Sequence, residues 1–573
     1  MKKQNLRIIF KFGATMRKSI VFVVLIVLGI TIGFIIQPLL SDDKNSNILE
    51  QEKKFDYVLN TIFKNYVDKV DTEKLVEAAI KGMLNELDVH SVYISAESMK
   101  RVQEDFQGSF EGIGVQFDII EDTIIIVSAI PGGPSEAIGI QSGDKIITID
   151  GENAVGMDRD DIPKKLKGPK GTVVEVGIKR DGEPNLLNFS ITRDRIPINS
   201  VDAAFIIDGT DIGYVEVNRF AQVTHQEMVD SLESLKLKGM KKIILDLRGN
   251  PGGYLNQAFL MADEFLPKGD TIVYTKGRKA IFDEVYLSNL GGKYEKIPLI
   301  VLIDAGSASA SEIVSGAIQD LDRGLIVGET SYGKGLVQRQ YEIGDGSAFR
   351  LTISRYYTPS GRSIQRPYKD KEQYRSLVGR LELEEGSYIE NAIDKIKKQV
   401  EKLNEENKNK KDFKPLHIDS LPLYKTRKGR LVFGGGGITP DFIVKHDTIT
   451  KLSVEIRKKN LYLIFTDNYM HTDGKKIKEK YHSNFQDYYR NFTISDEIME
   501  EFKKLTISKG IEWNEEQGKI DWEYNKTVIK AYIARAIWDR NKMTQILSIY
   551  DKQMQTAIKL FPEAEKMLTL KKK

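Results

Sequence analysis

The sequence predicts a multidomain α+β protein with an N-terminal membrane anchor. Its 573 residues allow three or four domains. Short strands and glycine-rich turns dominate residues 107–196, strands and helices are mixed from there to about residue 446, and helical spacing prevails from residue 447. The formal charge of +3 implies no polyanionic partner, so nucleic acid is not expected, and 41% hydrophobic residues support sizeable cores.

The N-terminus carries the signals of a membrane anchor. Basic residues are frequent in the first 18 positions, an uncharged run follows from Ile20 to Ile36, and acidic residues come just after it. The run is at the short end for a spanning helix of about 20 residues. A cleaved signal peptide is the alternative, but no small-x-small site follows the run. We expect a cytoplasmic tail at 1–18 and a transmembrane signal anchor at 19–40, with the rest of the chain outside the cytoplasm.

A serine-rich turn in the middle of the chain points to acyl-transfer chemistry. The apolar run 299–303 predicts a buried strand, and the small residues after it open into a helix with apolar positions at helical spacing. A strand-to-helix turn exposes a hydroxyl and directs the free N–H groups of the helix start at developing negative charge. Three serines, Ser307, Ser309 and Ser311, lie in this turn, and spacing alone does not choose among them.

A serine hydroxyl needs a base, and Lys334 is the candidate. None of the six histidines lies in this stretch. Lysine serves as the base when burial lowers its pKa from about 10.4 towards neutrality, at about 4 kcal/mol for three units. The segment 328–334 also fits a phosphate-loop pattern. However, Gly335 stands where a magnesium-binding Ser or Thr is required, and strand-like residues follow, so nucleotide binding is not expected.

The serine and lysine motifs together resemble the carboxyl-terminal processing peptidases, or tail-specific proteases. The matching residues are Ser-Ala-Ser-Ala-Ser-Glu at 307–312 and Gly-Lys-Gly-Leu-Val-Gln at 333–338. The resemblance implies a Ser-Lys dyad in which Ser309 is the nucleophile, Lys334 the base and Gln338 the residue that orients the lysine. It extends from about residue 55 to 444. Val89 stands where the family often has proline, a difference that affects a helix boundary only.

A glycine turn follows the predicted strand at 242–248. Gly252 and Gly253 let backbone approach a ligand closely, and the segment resembles the glycine turn of the same peptidases. We expect these two amides and the amide of Ala310 to form the oxyanion hole, at about 3 to 4 kcal/mol per donor. The alternative is an ordinary turn at the end of a strand.

Residues 109–195 resemble a PDZ domain. A glycine-rich loop there matches the one whose amides bind the terminal carboxylate of a peptide, while the next strand pairs with the peptide. The pattern Gly-Asp-Lys-Ile-Ile-Thr-Ile-Asp-Gly at 143–151 supports the resemblance. It implies that the PDZ domain gates access to Ser309, with Lys167 as a regulatory residue; a solvated turn lysine is the alternative. The predicted peptide-binding residues are Gly112, Ile113, Gly114 and Val115.

The remaining segments are divided by their composition. A charged helical insertion is expected at 366–428 and a helical extension at 447–573, whose role as a lid, an interaction surface or an oligomerisation arm stays open. We expect Trp513, Trp522 and Trp538 to be core residues. The other predicted regions are an N-terminal helical region at 46–106, the PDZ domain at 107–196, the protease core at 197–365 and the end of that core at 429–446.

Taken together, these features predict a single-pass serine endopeptidase of the cytoplasmic membrane, with its catalytic part on the periplasmic or extracytoplasmic side. The expected partners are proteins with apolar C-terminal tails, and homo-oligomerisation stays open. No metal or organic cofactor is required. Without cysteine the chain needs no disulfide and excludes lipoprotein anchoring. The alternative is a catalytically silent PDZ scaffold or chaperone at the membrane.

Overall fold

The computed structural model has two compact units, and the boundary between them lies after Met83. The predicted tail and anchor at 1–40 and most of the predicted insertion at 366–428 lie outside the described residues. No described helix is both long and apolar enough to cross a membrane. The described residues are 48–120, 122–130, 132–180, 182–289, 291–366, 385–388, 398, 401–408 and 423–569.

Two helices account for the N-terminal helical prediction. They are α1 (Ile48–Asn65) and α2 (Thr72–Asn85). In α1 an acidic residue in the first turn and a basic one in the last agree with the helix dipole, and no side chain is buried. The Asp71 carboxylate accepts from the N–H of Lys74 at 3.2 Å, which satisfies one of the free donors at the start of α2.

A short strand and a capped helix connect α2 to the PDZ domain. These are β1 (Val92–Ile94) and α3 (Ala96–Gln107). The Ser95 side chain accepts from the N–H of Ser98 at the start of α3. The helix ends at Gly108, whose φ of 69° is the left-handed conformation that glycine adopts without strain.

The PDZ domain is built mainly from β-strands. Its sheet has the order β3-β4-β5-β7-β8, with β6 paired to β5, while β2 and β9 form a separate ribbon that connects the domain to its neighbours. Isoleucines and valines on the inner face make the core. The strands are β2 (Ser109–Gly112), β3 (Val115–Ile120), β4 (Thr123–Ala129), β5 (Lys145–Ile149), β6 (Glu152–Asn153), β7 (Val173–Lys179), β8 (Leu187–Thr192) and β9 (Asp194–Pro197), and the helices are α4 (Pro134–Ala137) and α5 (Asp161–Leu166).

The protease core is built on a six-stranded sheet of order β10-β11-β12-β15-β16-β21. All neighbouring pairs are parallel except the antiparallel pair of β10 and β11. The central strands are continuous apolar runs because both faces are covered. One face packs on helices α6 (Thr224–Leu237), α7 (Leu255–Asp263) and α8 (Ala310–Asp320). The strands are β10 (Val201–Ile206), β11 (Ile212–Val217), β12 (Lys242–Asp246), β15 (Leu299–Ile303), β16 (Leu325–Gly328) and β21 (Phe442–Ile443).

A second, antiparallel sheet lies beside the core and carries the segment after the lysine. Its order is β1-β18-β13-β14, with β17 paired to β18. Because β17 is a strand and not a helix, the phosphate-loop alternative at 328–334 does not hold. The strands are β13 (Thr271–Gly277), β14 (Val285–Leu287), β17 (Leu336–Glu342) and β18 (Ala348–Tyr357); the pair β19 (Leu423–Lys425) and β20 (Leu431–Phe433) is separate.

The C-terminal extension is helical, as expected, and it covers the second face of the core sheet. The last two helices pack Met554, Ala557 and Phe561 against Tyr214 and Ile244 of that face. The helices are α9 (Lys451–Lys458), α10 (Leu461–His471), α11 (Gly474–Tyr481), α12 (Phe485–Asn491), α13 (Asp496–Ser508), α14 (Glu515–Ile520), α15 (Trp522–Ile537), α16 (Arg540–Leu547), α17 (Lys552–Lys559) and α18 (Phe561–Thr569).

The three tryptophans of the extension pack against its aromatic core, as predicted. Residues 528–547 lie in two consecutive helices, α15 and α16. The chain turns at Trp538, and Asp539 starts α16 by accepting from the N–H of Lys542 at 2.8 Å.

Candidate active site

Ser309 occupies a strained turn between β15 and α8. Its φ of 54° and ψ of −109° lie in a region that residues with a side chain rarely adopt, at a cost of about 1 to 3 kcal/mol. Such a turn raises the serine hydroxyl above the carboxyl end of the sheet and places it at the N-terminus of the following helix. The backbone therefore has the geometry that a serine nucleophile requires.

The structure separates the three serines that the sequence left open. Ser307 and Ser311 are fully buried. Their hydroxyls donate to the carbonyl oxygens of Leu247 at 2.8 Å and Asn250 at 2.9 Å. Ser309 is partly exposed. The outer two serines thus fix the turn, and Ser309 alone of the three is accessible to a substrate.

The glycine turn lies against Ser309. A Cβ on Gly252 would come within 2.8 Å of the Ser309 Cβ and 2.9 Å of the Ala310 nitrogen. A Cβ on Gly253 would lie 2.1 Å from the carbonyl oxygen of Phe220. Both glycines also have positive φ, 96° and 152°. Only glycine fits here, so the close packing of the two turns depends on these residues.

The three amides predicted for the oxyanion hole differ in their hydrogen bonds. The N–H of Gly252 donates to Asn250 Oδ1 at 2.9 Å. For the N–H groups of Gly253 and Ala310, the described residues offer no acceptor. Gly253 and Ala310 are therefore the two amides available to an anion, while Gly252 contributes the space that a side chain would fill. Their role with substrate stays a prediction.

Lys334 lies in a partly buried loop beside this turn. Burial lowers the pKa of its ammonium group, and the positive charge of Arg350 lowers it further, while Glu312 and Asp88 act in the opposite direction. Among the described hydrogen bonds none joins Lys334 to Gln338, whose Nε2 donates to the carbonyl oxygen of Leu336 at 3.3 Å. The orienting role of Gln338 stays a prediction.

Glu312 is a residue of this site that our sequence reasoning missed. It is fully buried, and its carboxylate joins the serine turn to the lysine loop. Burial raises its pKa, and the hydrogen bonds it accepts oppose that rise. The spacing Ser-x-x-Glu from Ser309 is a capping-box signature and could have identified it. Its four donors are the N–H of Ser309 (2.8 Å), the hydroxyl of Ser331 (2.5 Å), the N–H of Gly333 (2.7 Å) and the N–H of Lys334 (2.9 Å).

A loop from the start of the second unit also reaches the site. The Asp88 carboxylate accepts from the backbone N–H of His90 at 2.8 Å and from the hydroxyl of Ser91 at 2.8 Å. Burial lowers the pKa of His90, and the charge of Lys334 lowers it further, so the imidazole lies within electrostatic range of the lysine. His90 is distant in sequence and carried no local signal for this position.

The loop predicted to bind peptide in the PDZ domain has free backbone donors. Gly114 has a φ of 74°, and the carbonyl oxygen of Ile113 accepts from the Ser135 hydroxyl at 2.6 Å. Within the described part of the chain, the N–H groups of Ile113 and Gly114 meet no acceptor. Backbone donors are thus available at the start of β3, the strand that begins at Val115.

Lys167 is engaged with neighbouring side chains and is not a solvated turn lysine. Its ammonium pairs with Glu104 of α3 and lies 4.5 Å from the centre of the Phe110 ring. The position of a Cβ on Gly112 would be 3.4 Å from the Cα of Lys167. Lys167 therefore links the PDZ loop to the helix that precedes it, which is compatible with the predicted regulatory role.

A cavity of about 1000 Å³ lies at the carboxyl ends of β11 and β12, between the core and the extension. Arg248 crosses one side of it and pairs with Asp246 and Asp551. Glu216 lines the cavity with one buried oxygen that has no hydrogen-bond partner. Burial and the charge of Asp246 raise the pKa of Glu216 to about 7.

Four family models match successive parts of the chain. Residues 37–98 match the activating protease CtpB N-terminal domain, 125–180 the PDZ domain and 211–370 peptidase family S41. Residues 453–539, within the extension, match a family of unknown function.

Curated relatives match a little over half of the chain. The chain is 38% identical over 353 residues to a carboxy-terminal-processing protease of Bartonella bacilliformis, which covers 61% of this chain and 80% of that protein. It is 38% identical over 335 residues to carboxy-terminal processing protease CtpA of Bacillus subtilis, with 56% and 70% covered. It is 37% identical over 317 residues to carboxy-terminal processing protease CtpB of the same organism, and the match covers 55% of this chain and 65% of that protein. This chain belongs to the carboxy-terminal processing peptidases, which are serine peptidases of family S41.

Proposed function

We propose that this peptidase is a membrane-anchored endopeptidase in which Ser309 is the nucleophile and Lys334 the general base. The observation that carries the proposal is the strained, accessible Ser309 turn, joined through Glu312 to the loop of a lysine whose pKa is lowered by burial. The proposed substrates are the C-terminal tails of proteins outside the cytoplasm.

In the proposed reaction the neutral amine of Lys334 takes the proton from the Ser309 hydroxyl as its oxygen bonds to the scissile carbonyl carbon. The amides of Gly253 and Ala310 hold the negative charge on the carbonyl oxygen. The lysine ammonium then gives the proton to the leaving amine as the carbon–nitrogen bond breaks. Water, deprotonated by Lys334, hydrolyses the acyl-enzyme in the same way and frees the serine.

Active-site labelling distinguishes this proposal from a silent scaffold. A fluorophosphonate probe should label the full chain and should fail to label Ser309→Ala. Ser311→Ala is the matched control and should keep labelling, because its hydroxyl is buried and donates to the carbonyl oxygen of Asn250. A chain that takes no label while folded would support the scaffold alternative.

We further propose that the PDZ domain senses substrate tails. The free N–H groups of Ile113 and Gly114 and the position of Lys167 between that loop and α3 support this role. A peptide with a free, apolar C-terminus should stimulate cleavage of a second substrate, by about 5- to 150-fold at most. The amidated peptide should not stimulate, and Lys167→Ala should change the response. Equal stimulation by both peptides would refute tail sensing.

The proposed location is the cytoplasmic membrane, with the catalytic part on the periplasmic or extracytoplasmic side. The charge pattern around the run Ile20–Ile36 supports it. Protease added to intact spheroplasts should digest the catalytic region and spare an N-terminal cytoplasmic tag. A freely soluble mature enzyme that begins near Ser41 would show that the segment is cleaved.

A further inference from the structure

The edge strand of the PDZ sheet is open to a peptide. Strand β3 pairs only with β4 among the described strands, so its other edge has unpaired backbone groups. It begins directly after the loop with the free N–H groups of Ile113 and Gly114. A peptide that adds to this edge presents its side chains alternately to the two faces of the sheet. One set would face the PDZ core and the other set would face away from it.

The extension covers the face of β3 that points away from the PDZ core. Gln116 and Asp118 lie on this face, because the alternate residues of β3 pack on the core. Arg535 Nη2 donates to Gln116 Oε1 at 2.7 Å. Asn460 Nδ2 donates to Asp118 Oδ2 at 3.2 Å. The helical region of unknown function therefore touches the strand that would bind the peptide.

The neighbouring strand confirms that this outer face is covered. Ile125 of β4 is only 7% exposed, although it does not belong to the PDZ core. Ile124 and Ile126 do belong to that core. This explains why residues 124–127 form a continuous apolar run instead of an alternating one: both faces of β4 are buried, one by the PDZ core and one by the extension.

The covered face is incompletely filled. A cavity of about 210 Å³ remains between β4 and the extension. This is the liquid volume of about seven water molecules, enough for one large side chain. Its lining is mixed: the apolar and aromatic part is Ile125, Val127, Leu463, Met470, Tyr532 and Ala536, and the uncharged polar part includes Gln141, Ser142 and Thr466.

The charged residues that line the cavity are three basic and two acidic ones. Lys475 and Lys478 are exposed at its margin, and Arg535 lies between the cavity and β3. The acidic residues are Asp467 and Asp118, and Asp118 is already engaged by Asn460 and by Arg159, 3.4 Å away. A peptide side chain entering here therefore meets apolar lining residues and a small net positive charge.

We infer that the extension completes the peptide groove of the PDZ domain and that this cavity receives the outward-facing side chains of a substrate's C-terminal tail. Apolar side chains contact the apolar lining residues, acidic ones pair with Lys475 and Lys478, and basic ones are repelled. The inference rests on the proposed binding of tails by the PDZ loop. By this inference, residues 453–539 select the side chain at every second position of the tail.

Binding of peptides that differ at one position tests this assignment. Fluorescent decapeptides of otherwise constant sequence, with a free C-terminal carboxylate, carry leucine, alanine, glutamate or lysine at each of the last five positions in turn. Their binding is measured with the full chain carrying Ser309→Ala, which prevents cleavage. We expect the five positions to fall into two alternating sets, one with side chains facing the PDZ core and one, the outward set, with side chains facing the extension. At the outward set, peptides with leucine should bind about tenfold more tightly than peptides with alanine.

Two variants identify which set faces the extension. Ala536→Trp fills the cavity and should abolish the leucine preference at the outward set, leaving the inward set unchanged. Lys475→Glu/Lys478→Glu, at two exposed positions, should invert the preference for glutamate over lysine at the outward set. Glu516→Trp, at an exposed position of α14, is the matched control and should change neither set.

The outcomes are distinguishable. If the amidated peptides bind as well as the free acids, or if no peptide binds, the proposed tail sensing fails. If free acids bind selectively but the filled-cavity and reversed-charge variants keep the wild-type preferences at all five positions, tail sensing stands and the role of the extension is refuted. Loss of the preference in the Glu516→Trp control would also refute it, because the effect would not come from this cavity.

Discussion

Two buried glutamates at the carboxyl edge of the same sheet have opposite surroundings. Glu312 accepts four hydrogen bonds and ties the serine turn to the lysine loop. Glu216 lines the large cavity, and one of its oxygens has no partner. Burial raises the pKa of both. The difference is that donors stabilise the charged form of Glu312, whereas Asp246 and Asp202 repel the charge on Glu216.

The carboxyl edge of the core sheet therefore carries both a rigidly held turn and a carboxyl group, Glu216, that titrates near neutrality. At the catalytic turn every oxygen of the buried carboxylate is satisfied, so the backbone of Ser309 and the backbone of Lys334 are held in a fixed relation. At the cavity the carboxyl group of Glu216 lacks such donors, so its protonation changes near pH 7. Hydrogen-bond satisfaction, more than depth of burial, separates a positioning carboxylate from a titrating one.

The largest expected effect comes from removing the reactive groups of the rigid turn. Ser309→Ala and Lys334→Ala should each lower kcat/KM by at least about 10⁴-fold, and the double variant should be no worse than either single one, because the two groups act as a unit. Peptide cleavage assays check the rates, and thermal unfolding checks that the proteins are folded. Full activity in Lys334→Ala would exclude the proposed mechanism.

Removing the satisfied carboxylate should affect both folding and activity. Glu312→Gln places an NH₂ group against N–H donors, so we expect a loss of about 2 to 4 kcal/mol in the free energy of unfolding and an activity loss of about 100-fold. Thermal unfolding and cleavage kinetics measure the two effects. Glu500→Gln, at an exposed position, is the control. Wild-type stability and rate in Glu312→Gln would show that the four hydrogen bonds do not hold the turn.

The titrating carboxyl group should make stability depend on pH. Because the pKa of Glu216 is raised from 4.5 to about 7, the folded protein binds more protons than the unfolded protein between these values. The stabilisation from this group is present below pH about 4.5 and is lost as pH rises through about 7, by about 3 kcal/mol. Glu216→Gln should therefore be more stable than wild type at pH 8 and similar at pH 5.

Unfolding midpoints of the two proteins across this pH range measure the difference, with Glu500→Gln again as control. The difference between variant and wild type isolates Glu216 from the other groups that titrate. If the unfolding midpoints of Glu216→Gln and wild type differ by the same amount at pH 5 and at pH 8, the raised pKa of Glu216 is contradicted.

The smallest expected effect concerns the charge beside the lysine. Arg350 lowers the pKa of Lys334, so Arg350→Gln should raise that pKa and leave less neutral base at pH 7. We expect the acidic limb of the kcat/KM profile to move to higher pH by up to about one unit. Arg339→Gln, on the adjacent strand, is the control. An acidic limb at the wild-type pH would show that Arg350 does not tune Lys334.

Local elements of the core could be predicted from the sequence because their patterns are strong. The apolar run 299–303 is β15, and the strand-like residues noted after Lys334 are β17 and β18. The choice of Ser309 came from family resemblance, since three serines share the turn. Its backbone strain and the buried hydroxyls of its neighbours became visible only in three dimensions.

Long-range contacts could not be predicted. Asp551 pairs with Arg248 and Asn460 contacts Asp118 across hundreds of residues, and no local period marks such partners. Glu312 is an intermediate case, because its capping-box spacing was readable but the Ser331, Gly333 and Lys334 donors were not. The helical character of 447–573 could be predicted, but the break between α15 and α16, where Asp539 caps the second helix, could not be located.

The late helices α17 and α18 have a consequence for biosynthesis. They cover one face of the core sheet, whose strands β10, β11, β12, β15 and β16 are synthesised more than 200 residues earlier. Until residues 552–569 have emerged, that apolar face lacks the two helices that cover it, so the nascent chain exposes an aggregation-prone apolar surface late into synthesis.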